Sequence, residues 1–527
     1  MPQIAPVHTT DPALDPSSRA LLDLSLRHGL SDAALADTLG VAAADIEELR
    51  ARALGQLARA YAEGDAFAPA PPRRPEAPRQ SRDAADWVSR GSLRDEPRAS
   101  RFDLLLRVLA AGYLAILLIA VVAFKAAFVE AITTDPLLTG YGLVVCAYIV
   151  SRFLLSMVYR GAPDRGLEPH VAIVMPALNE EEAIAASLRS LLASDYPEGK
   201  LEIVAVNDGS TDATLTEMRA VAAETGRVRV IDFPENRGKR AAMAAGIAAT
   251  SAEIVAFVDS DSALERDALR RIVQGFADPK VGAVCGHAEV QNPRESWITR
   301  MQAVRYFVAF RVVKAAESVF GAVTCCSGCF SAYRRDAILP RLEWWANQSF
   351  LGVPSTFGDD RSLTNCVLRD WRVRYESRAV SHTIVPETFH KFMRQQLRWK
   401  RSWTRESLIV SAFMWRKNPF AALATYVGIL LPLVAPAIAV RTVVWMPLVE
   451  HQGAPVVYML GVYTMALAYG LYYAVRHTRS DTLWIFGVVF CFFYLVFLLW
   501  QTYWAMFTAR TAEWGTRAAT AGMGASP

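Results

Sequence analysis

Apolar positions are unevenly distributed along the 527 residues. Five runs, 104–130, 138–158, 419–448, 453–475 and 482–508, are apolar over lengths that can cross a hydrocarbon core, which takes about 20 residues. Between the second and third runs the pattern changes. From His170 onward, short apolar runs at 171–175, 201–206, 228–233 and 254–258 read as strands. Amphipathic runs at 180–194, 212–225 and 238–250 separate them and read as helices. Strands alternating with helices predict a parallel α/β sheet. Ahead of all this, Leu21, Leu22, Leu26, Leu30, Ala34, Leu35, Leu39 and Val41 keep a helical rhythm, with Ser31-Asp32 as an N-cap and Gly40 as a stop. The predicted order is therefore a small all-α unit (1–64), a disordered linker rich in Pro, Arg and Asp (65–100) and two transmembrane helices (101–160). An α/β domain (165–417), a second transmembrane region (418–508) and a tail (509–527) follow.

Composition supports a membrane protein: 53% of residues are hydrophobic and 20% charged. Residues 1–100 hold no apolar signal core, so the first apolar run is expected to act as an uncleaved anchor. Net charge is +4, which gives no case for nucleic acid as a partner. Residues 30–57 resemble the helix-turn-helix of sigma-factor-like regulators. However, Asp45, Glu47 and Glu48 on the second helix would repel a phosphate backbone. A helical hairpin packing on itself or on a partner is the preferred reading. Basic residues crowd 391–417, and Arg152, Arg160 and Arg165 lie near the exit of the second run, so the α/β domain is expected on the cytoplasmic side of the cell membrane. Segments 295–318 and 388–408 mix aromatic and basic residues and are expected to lie along the lipid surface. Run 482–508 is expected to break into a short hairpin, giving six spans and returning Trp514–Arg517 to the cytoplasm. The seven cysteines give no disulfide framework, and Cys326-x-x-Cys329 lacks the second pair a zinc site needs.

Polar clusters follow three of the strands. The first ends in Pro176-Ala177-Leu178-Asn179-Glu180, the second in Asn207-Asp208-Gly209-Ser210 and the fourth in Asp259-Ser260-Asp261. Ligands of open α/β sheets bind at the carboxyl ends of strands, so the three clusters predict one nucleotide site. Two carboxylates two residues apart on an extended segment point the same way. Asp259 and Asp261 can then share a hard cation such as Mg²⁺, which takes one or two carboxylates plus phosphate oxygens.

The series MPALNEE, VNDGSTD, NRGKRAAM, VDSD, CCSG, GDDR, QQLRW and WGTR, spread over about 170–517, resembles the processive family 2 glycosyltransferases. Hyaluronan synthases and chitin-oligosaccharide synthases (N-acetylglucosaminyltransferases) are the nearest in pattern. The resemblance implies a GT-A type nucleotide-diphospho-sugar transferase domain inserted between transmembrane helices. It implies that Pro176, Ala177, Asn179, Glu180 and Asp208 hold the uridine and that Lys239 lies near the phosphates. Asp259 and Asp261 would be the Mg²⁺ or Mn²⁺ pair, with Asp261 the more direct ligand. Asp360 would be the general base, Gln395, Arg398 and Trp399 the acceptor-end motif, and Arg517 would close over the diphosphate. Asp359 is expected to cap a helix starting near Arg361. Cys325, Cys326 and Ser327 fall where the family places a loop lining the acceptor pocket. Cys329 stands where proline is common, which leaves that loop's shape open.

The expected partners are a UDP-sugar donor, a growing polysaccharide acceptor and membrane lipid. Three functions fit: a processive synthase that extrudes its polymer, a non-processive transferase to a lipid or short acceptor, and a regulatory membrane protein with a retired transferase domain. The intact acids and Q-x-x-R-W motif favour the first.

Overall fold

The structure, a computed structural model, describes residues 136–451, 455–476 and 482–511, with isolated positions between 45 and 123. Most of the helical unit 1–64, the linker, the first apolar run and Arg517 lie outside the described residues. Positions 45, 46, 48 and 49 of the N-terminal unit are helical, as are the described positions between 112 and 123.

Helix α1 (Pro136–Val158) is followed by β1 (Val171–Ala177), α2 (Ile184–Leu192), β2 (Leu201–Asp208) and α3 (Thr214–Thr225). Then come β3 (Val228–Phe233), α4 (Lys239–Ala248), β4 (Ile254–Phe257) and β5 (Ser262–Leu264). β1 is buried at every position, and its apolar run continues into Pro176 and Ala177, so both faces are covered. It pairs in parallel with β2 and with β4, and β2 pairs in parallel with β3. This half follows the predicted alternation.

The other half departs from it. With α5 (Ala268–Val273), β6 (Val281–Val290), α6 (Trp297–Val308), α7 (Ala315–Val319) and β7 (Ser331–Arg334), the chain builds a mixed sheet. Its order is β3-β2-β1-β4-β7-β6-β10-β5, where β10 is Arg372–Thr383 and the intervening β8 (Ser349–Phe350) and β9 (Val353–Pro354) form a separate two-stranded sheet. β7 runs antiparallel between β4 and β6, and β5 antiparallel to β10. The strands expected at 171–258 pair in parallel, and the part of the sheet beyond them is mixed.

Helix α8 (Asp359–Leu368) packs beneath β6 and β10, and α9 (Phe389–Met414) packs against α8. The apolar segments follow as α10 (Pro419–Val440), α11 (Pro455–Arg476), α12 (Ile485–Phe493) and α13 (Gln501–Phe507). Among the described residues, Pro136–Val158 and Pro419–Leu448 are long and apolar enough to cross a membrane. The last run is interrupted: Thr482–Leu498 and Gln501–Phe507 meet at 45°. The two basic amphipathic segments seat on this run. Ile298 and Met301 of α6 and Phe392 of α9 form one buried cluster with Phe493 and Leu498.

Candidate active site

The site is built where β1, β2 and β4 end. Asn179 takes a left-handed backbone (φ 54°) and ties the first two loops together. Its amide donates to Ser210 Oγ (3.1 Å), and its Oδ1 accepts from the Thr211 amide (2.8 Å). Asp208, only 3% exposed, accepts from the amides of Arg237 (2.8 Å) and Gly238 (3.1 Å). The carboxylate at the end of β2 therefore shapes the loop that launches α4.

That helix opens with Lys239 and Arg240, and each meets an acid. The Lys239 ammonium pairs with Asp259. Arg240 Nε donates to Asp359 Oδ1 at 2.6 Å, with both side chains 6% exposed. Burial pushes the Lys239 amine down, but Asp259, Asp359 and Asp360 outweigh it and the net shift is upward. Three acidic positions from distant segments thus surround one helix start. The arrangement corrects the expectation for Asp359. The helix starts at Asp359 itself, and that carboxylate neutralises a buried guanidinium instead of capping the helix.

Asp261 is pushed up to about 6, first by burial and then by the neighbouring Asp259 charge, with Lys239 opposing. A buried carboxylate raised by its neighbour in this way is short of positive charge. The loop after Cys325 passes close against Asp259. The Asp259 amide donates to the Gly328 carbonyl (3.1 Å), and a Cβ on Gly328 would stand 2.8 Å from Asp259 Oδ2. Hard oxygen donors, excess negative charge and a close backbone approach fit a divalent cation, with Asp259 and Asp261 as its protein ligands. Among the described residues no group of three or more His, Cys, Asp or Glu could hold a metal, so the remaining ligands would come from phosphate and water.

Asp360 sits at the start of α8. Its Oδ1 accepts from the Arg361 amide (2.7 Å), and Cys325 Sγ lies 3.6 Å from Oδ2. The Cys325–Gly328 loop therefore touches Asp360 at one end and Asp259 at the other. Gly358 fixes the turn with φ 79°, and a Cβ there would fall 1.9 Å from Ser402 Oγ on α9. Only glycine allows both that backbone and that approach. Arg405 holds the turn from below, donating to the Phe357 carbonyl (2.6 Å) and to Glu406 (2.9 Å).

Gln395, Arg398 and Trp399 lie on α9 and are partly buried. The ring of Trp399 approaches Tyr306 (6.5 Å between centroids), and Arg305 lies over it at 5.1 Å. Burial pushes the Tyr306 hydroxyl up, helped by Cys329, Asp261 and Asp259 and opposed by Arg305. Tyr306 therefore meets Trp399 on one side and lies within electrostatic reach of the D-x-D pair. Hydrogen bonds and ion pairs link the three strand ends, Lys239 and, through the Cys325–Gly328 loop, Asp360, while of the α9 motif Trp399 reaches toward them through Tyr306.

Sequence reading missed Arg240, Gln348, Arg405 and Glu406, which hold the acids from behind. Gln348 accepts from Arg240 (2.7 Å) and donates to Glu406 (3.2 Å). The one local signal was Arg240 following Lys239 at a helix start, and it does not reveal burial.

An α/β sheet with acidic motifs gathered at its strand ends, between apolar helices, is the GT-A type architecture of a glycosyltransferase. Residues 172–339 match the domain described as glycosyl transferase family 2. The hyaluronan synthase of Streptococcus pyogenes is 33% identical over 386 residues, 72% of this chain and 90% of that one. An N-acetylglucosaminyltransferase of Rhizobium meliloti (strain 1021) is 36% identical over 300 residues, 55% and 70% of the two chains. Among solved structures, the mannosyltransferase PcManGT from Pyrobaculum calidifontis, in complex with GDP-Man and Mn²⁺, aligns with a TM-score of 0.48 at 24% identity. That alignment covers 68% of this chain and 99% of that one. The chain belongs to glycosyl transferase family 2 and is a glycosyltransferase.

Proposed function

We propose that the protein is a membrane-embedded, inverting synthase. It polymerises sugar from UDP-GlcNAc, together with UDP-GlcA, into a β-linked extracellular polysaccharide and translocates the chain. One observation carries this reading. Helix α9, which bears Gln395, Arg398 and Trp399, also packs on the apolar C-terminal helices, where Lys400 donates to Thr502 Oγ1 (3.0 Å) and to the Leu498 carbonyl. The acceptor end of the site is thereby continuous with the membrane region.

In this reading Pro176, Ala177, Asn179, Glu180 and Asp208 cradle the uridine, and Arg517 closes over the diphosphate. Asp259 and Asp261 hold Mg²⁺ or Mn²⁺, which when bound supplies positive charge to the leaving diphosphate. Lys239 adds a cation to the same oxygens. Asp360 takes the proton of the acceptor hydroxyl as it attacks. Direct attack opposite the leaving group inverts the anomeric carbon. Trp399 offers a ring face to the acceptor sugar. The domain 165–417 lies in the cytoplasm, with α6 and α9 along the lipid surface.

A second observation favours two donors over one. Arg305 lies over Trp399 and Phe490, and Lys400 over Tyr494, and no carboxylate faces either among the described residues. Burial, then Arg305, pushes the Lys400 amine down to about 7. The Arg305 cation, and the Lys400 amine that a nearby carboxylate would recharge, suit a polymer that carries carboxylates.

The test is the full chain in vesicles with Mg²⁺ or Mn²⁺ and UDP-GlcNAc, UDP-GlcA, UDP-Glc, or the first two together. UDP release and product size are read. Long polymer from the pair alone is expected. Polymer from a single donor overturns the two-donor reading, and UDP release without polymer points to a short-acceptor transferase.

A further inference from the structure

The first two residues of α4 are neighbours with opposite freedom. Arg240 is locked: it donates to Asp359 (2.6 Å), Gln348 (2.7 Å), the Trp345 carbonyl (3.1 Å) and the Phe357 carbonyl (3.4 Å). The Trp345 ring lies 5.6 Å from its guanidinium. Among the described residues, the side chain of Lys239 bonds to Asp259 alone, with Asp359 and Asp360 acting at longer range, and the Lys239 and Asp259 side chains are 27% exposed. Helix α4 is thus pinned by one cation while the next is held by a single partly solvated ion pair. A lysine side chain has four rotatable bonds and a compact charge, so it can turn without moving the backbone.

The pair that Lys239 serves is also the one that fits a divalent cation. An ammonium and a divalent ion cannot both sit against the same carboxylate without strong repulsion. One ammonium also leaves the Asp259–Asp261 pair a net negative charge, which a divalent ion would remove. We propose that Lys239 is an exchangeable counter-ion. It occupies Asp259 when no metal is bound, is displaced when a divalent cation arrives, and then turns its ammonium to the donor diphosphate. The inference rests on the reading of Asp259 and Asp261 as metal ligands and of the donor as a nucleoside diphosphate sugar.

The consequence is a coupling between metal and nucleotide that this side chain creates. Metal alone must break the Lys239–Asp259 pair with nothing to receive the ammonium. Metal with a diphosphate provides a new partner. The two ligands therefore bind better together than apart, and by linkage each raises the affinity of the other equally.

Lys239→Met separates this from simple phosphate contact, because its effect changes sign between ligands. In the full-length protein in vesicles, Mn²⁺ binding is read from the loss of the free-ion electron paramagnetic resonance signal, with and without UDP. The Lys239→Met variant is expected to bind Mn²⁺ alone about five-fold more tightly, the scale of one partly exposed ion pair. It should bind Mn²⁺ with UDP more weakly than the parent. Lys239→Arg, which keeps the charge, should stay near the parent for Mn²⁺ alone and control for folding. Unchanged or weaker binding of Mn²⁺ alone by Lys239→Met overturns the exchange. Asp259→Asn locates the failure. If it abolishes Mn²⁺ binding while Lys239→Met leaves it unchanged, the metal reading stands and the exchange falls. If Asp259→Asn leaves Mn²⁺ binding intact, the metal reading falls and the exchange with it.

Discussion

Replacing Arg240 with methionine removes the cation from a cavity that also holds Asp359, Gln348 and two backbone carbonyls. Arg240 and Asp359 are each 5% exposed, so water cannot take the place of the lost partner. Removing one member of a buried ion pair costs about 3–5 kcal/mol, because the other charge is left uncompensated. Here the loss extends further, since Gln348 is shared with Glu406 and the Phe357 carbonyl with Arg405. In a domain of this size each kcal/mol moves a melting midpoint by about 2–4 °C, so a drop of roughly 10 °C is expected. Asp359→Asn keeps the shape and leaves Arg240 its three other oxygens, so its loss should be smaller. The Arg240→Met, Asp359→Asn double variant should lose less than the sum, because no buried charge remains unpaired. The assay is thermal unfolding of the detergent-solubilised chain, alongside UDP release, since the pair sets where α8 begins. An Arg240→Met protein that melts within about 2 °C of the parent and turns over normally would refute the reasoning.

Other consequences are equally direct. Gly328→Ala puts a Cβ 2.8 Å from Asp259 Oδ2; it should weaken Mn²⁺ binding several-fold while leaving thermal stability nearly unchanged, checked by titration and melting. His287, 2% exposed and bonded to Tyr375 (2.8 Å), is lowered from 6.5 to about 4, first by burial and then by Arg311, with Glu289 opposing. Below pH 6.5 the unfolded chain therefore takes up a proton that the folded chain refuses. Stability should be intact above that pH and fall by about 3 kcal/mol by pH 4, seen as a falling melting midpoint and blunted in His287→Gln. Trp399→Ala should shorten the product with a smaller effect on UDP release, read by size-exclusion of labelled polymer.

The parallel half of the sheet was legible because its strands are short apolar runs closed by polar clusters, and strand–helix alternation is a local pattern. The same clusters exposed Asp208, Asp259 and Asp261, since each stands at a strand end. The mixed half was not legible. Whether β7 joins β4 and β6 antiparallel depends on partners scattered along the chain, and the local alternation of SAYR is the same in either direction. Arg240 was hidden for a related reason. A charged residue on an amphipathic helix is expected to face water, while its partner Asp359 lies 119 residues away. The bend between Leu498 and Gln501 has no glycine or proline to announce it. The break there follows π-helical turns at Tyr494–Leu498, a distortion set by packing on α6 and α9.

The most direct test of a single catalytic site at the strand ends is Asp360→Asn in the full-length protein. Binding of Mn²⁺ with UDP and transfer from UDP-GlcNAc with UDP-GlcA would be measured in the same vesicles. The account predicts that binding is kept while transfer falls by about 10²–10⁴-fold, the usual share of a general base. Transfer within a few-fold of the parent, at unchanged binding, would contradict it and move the base to another residue.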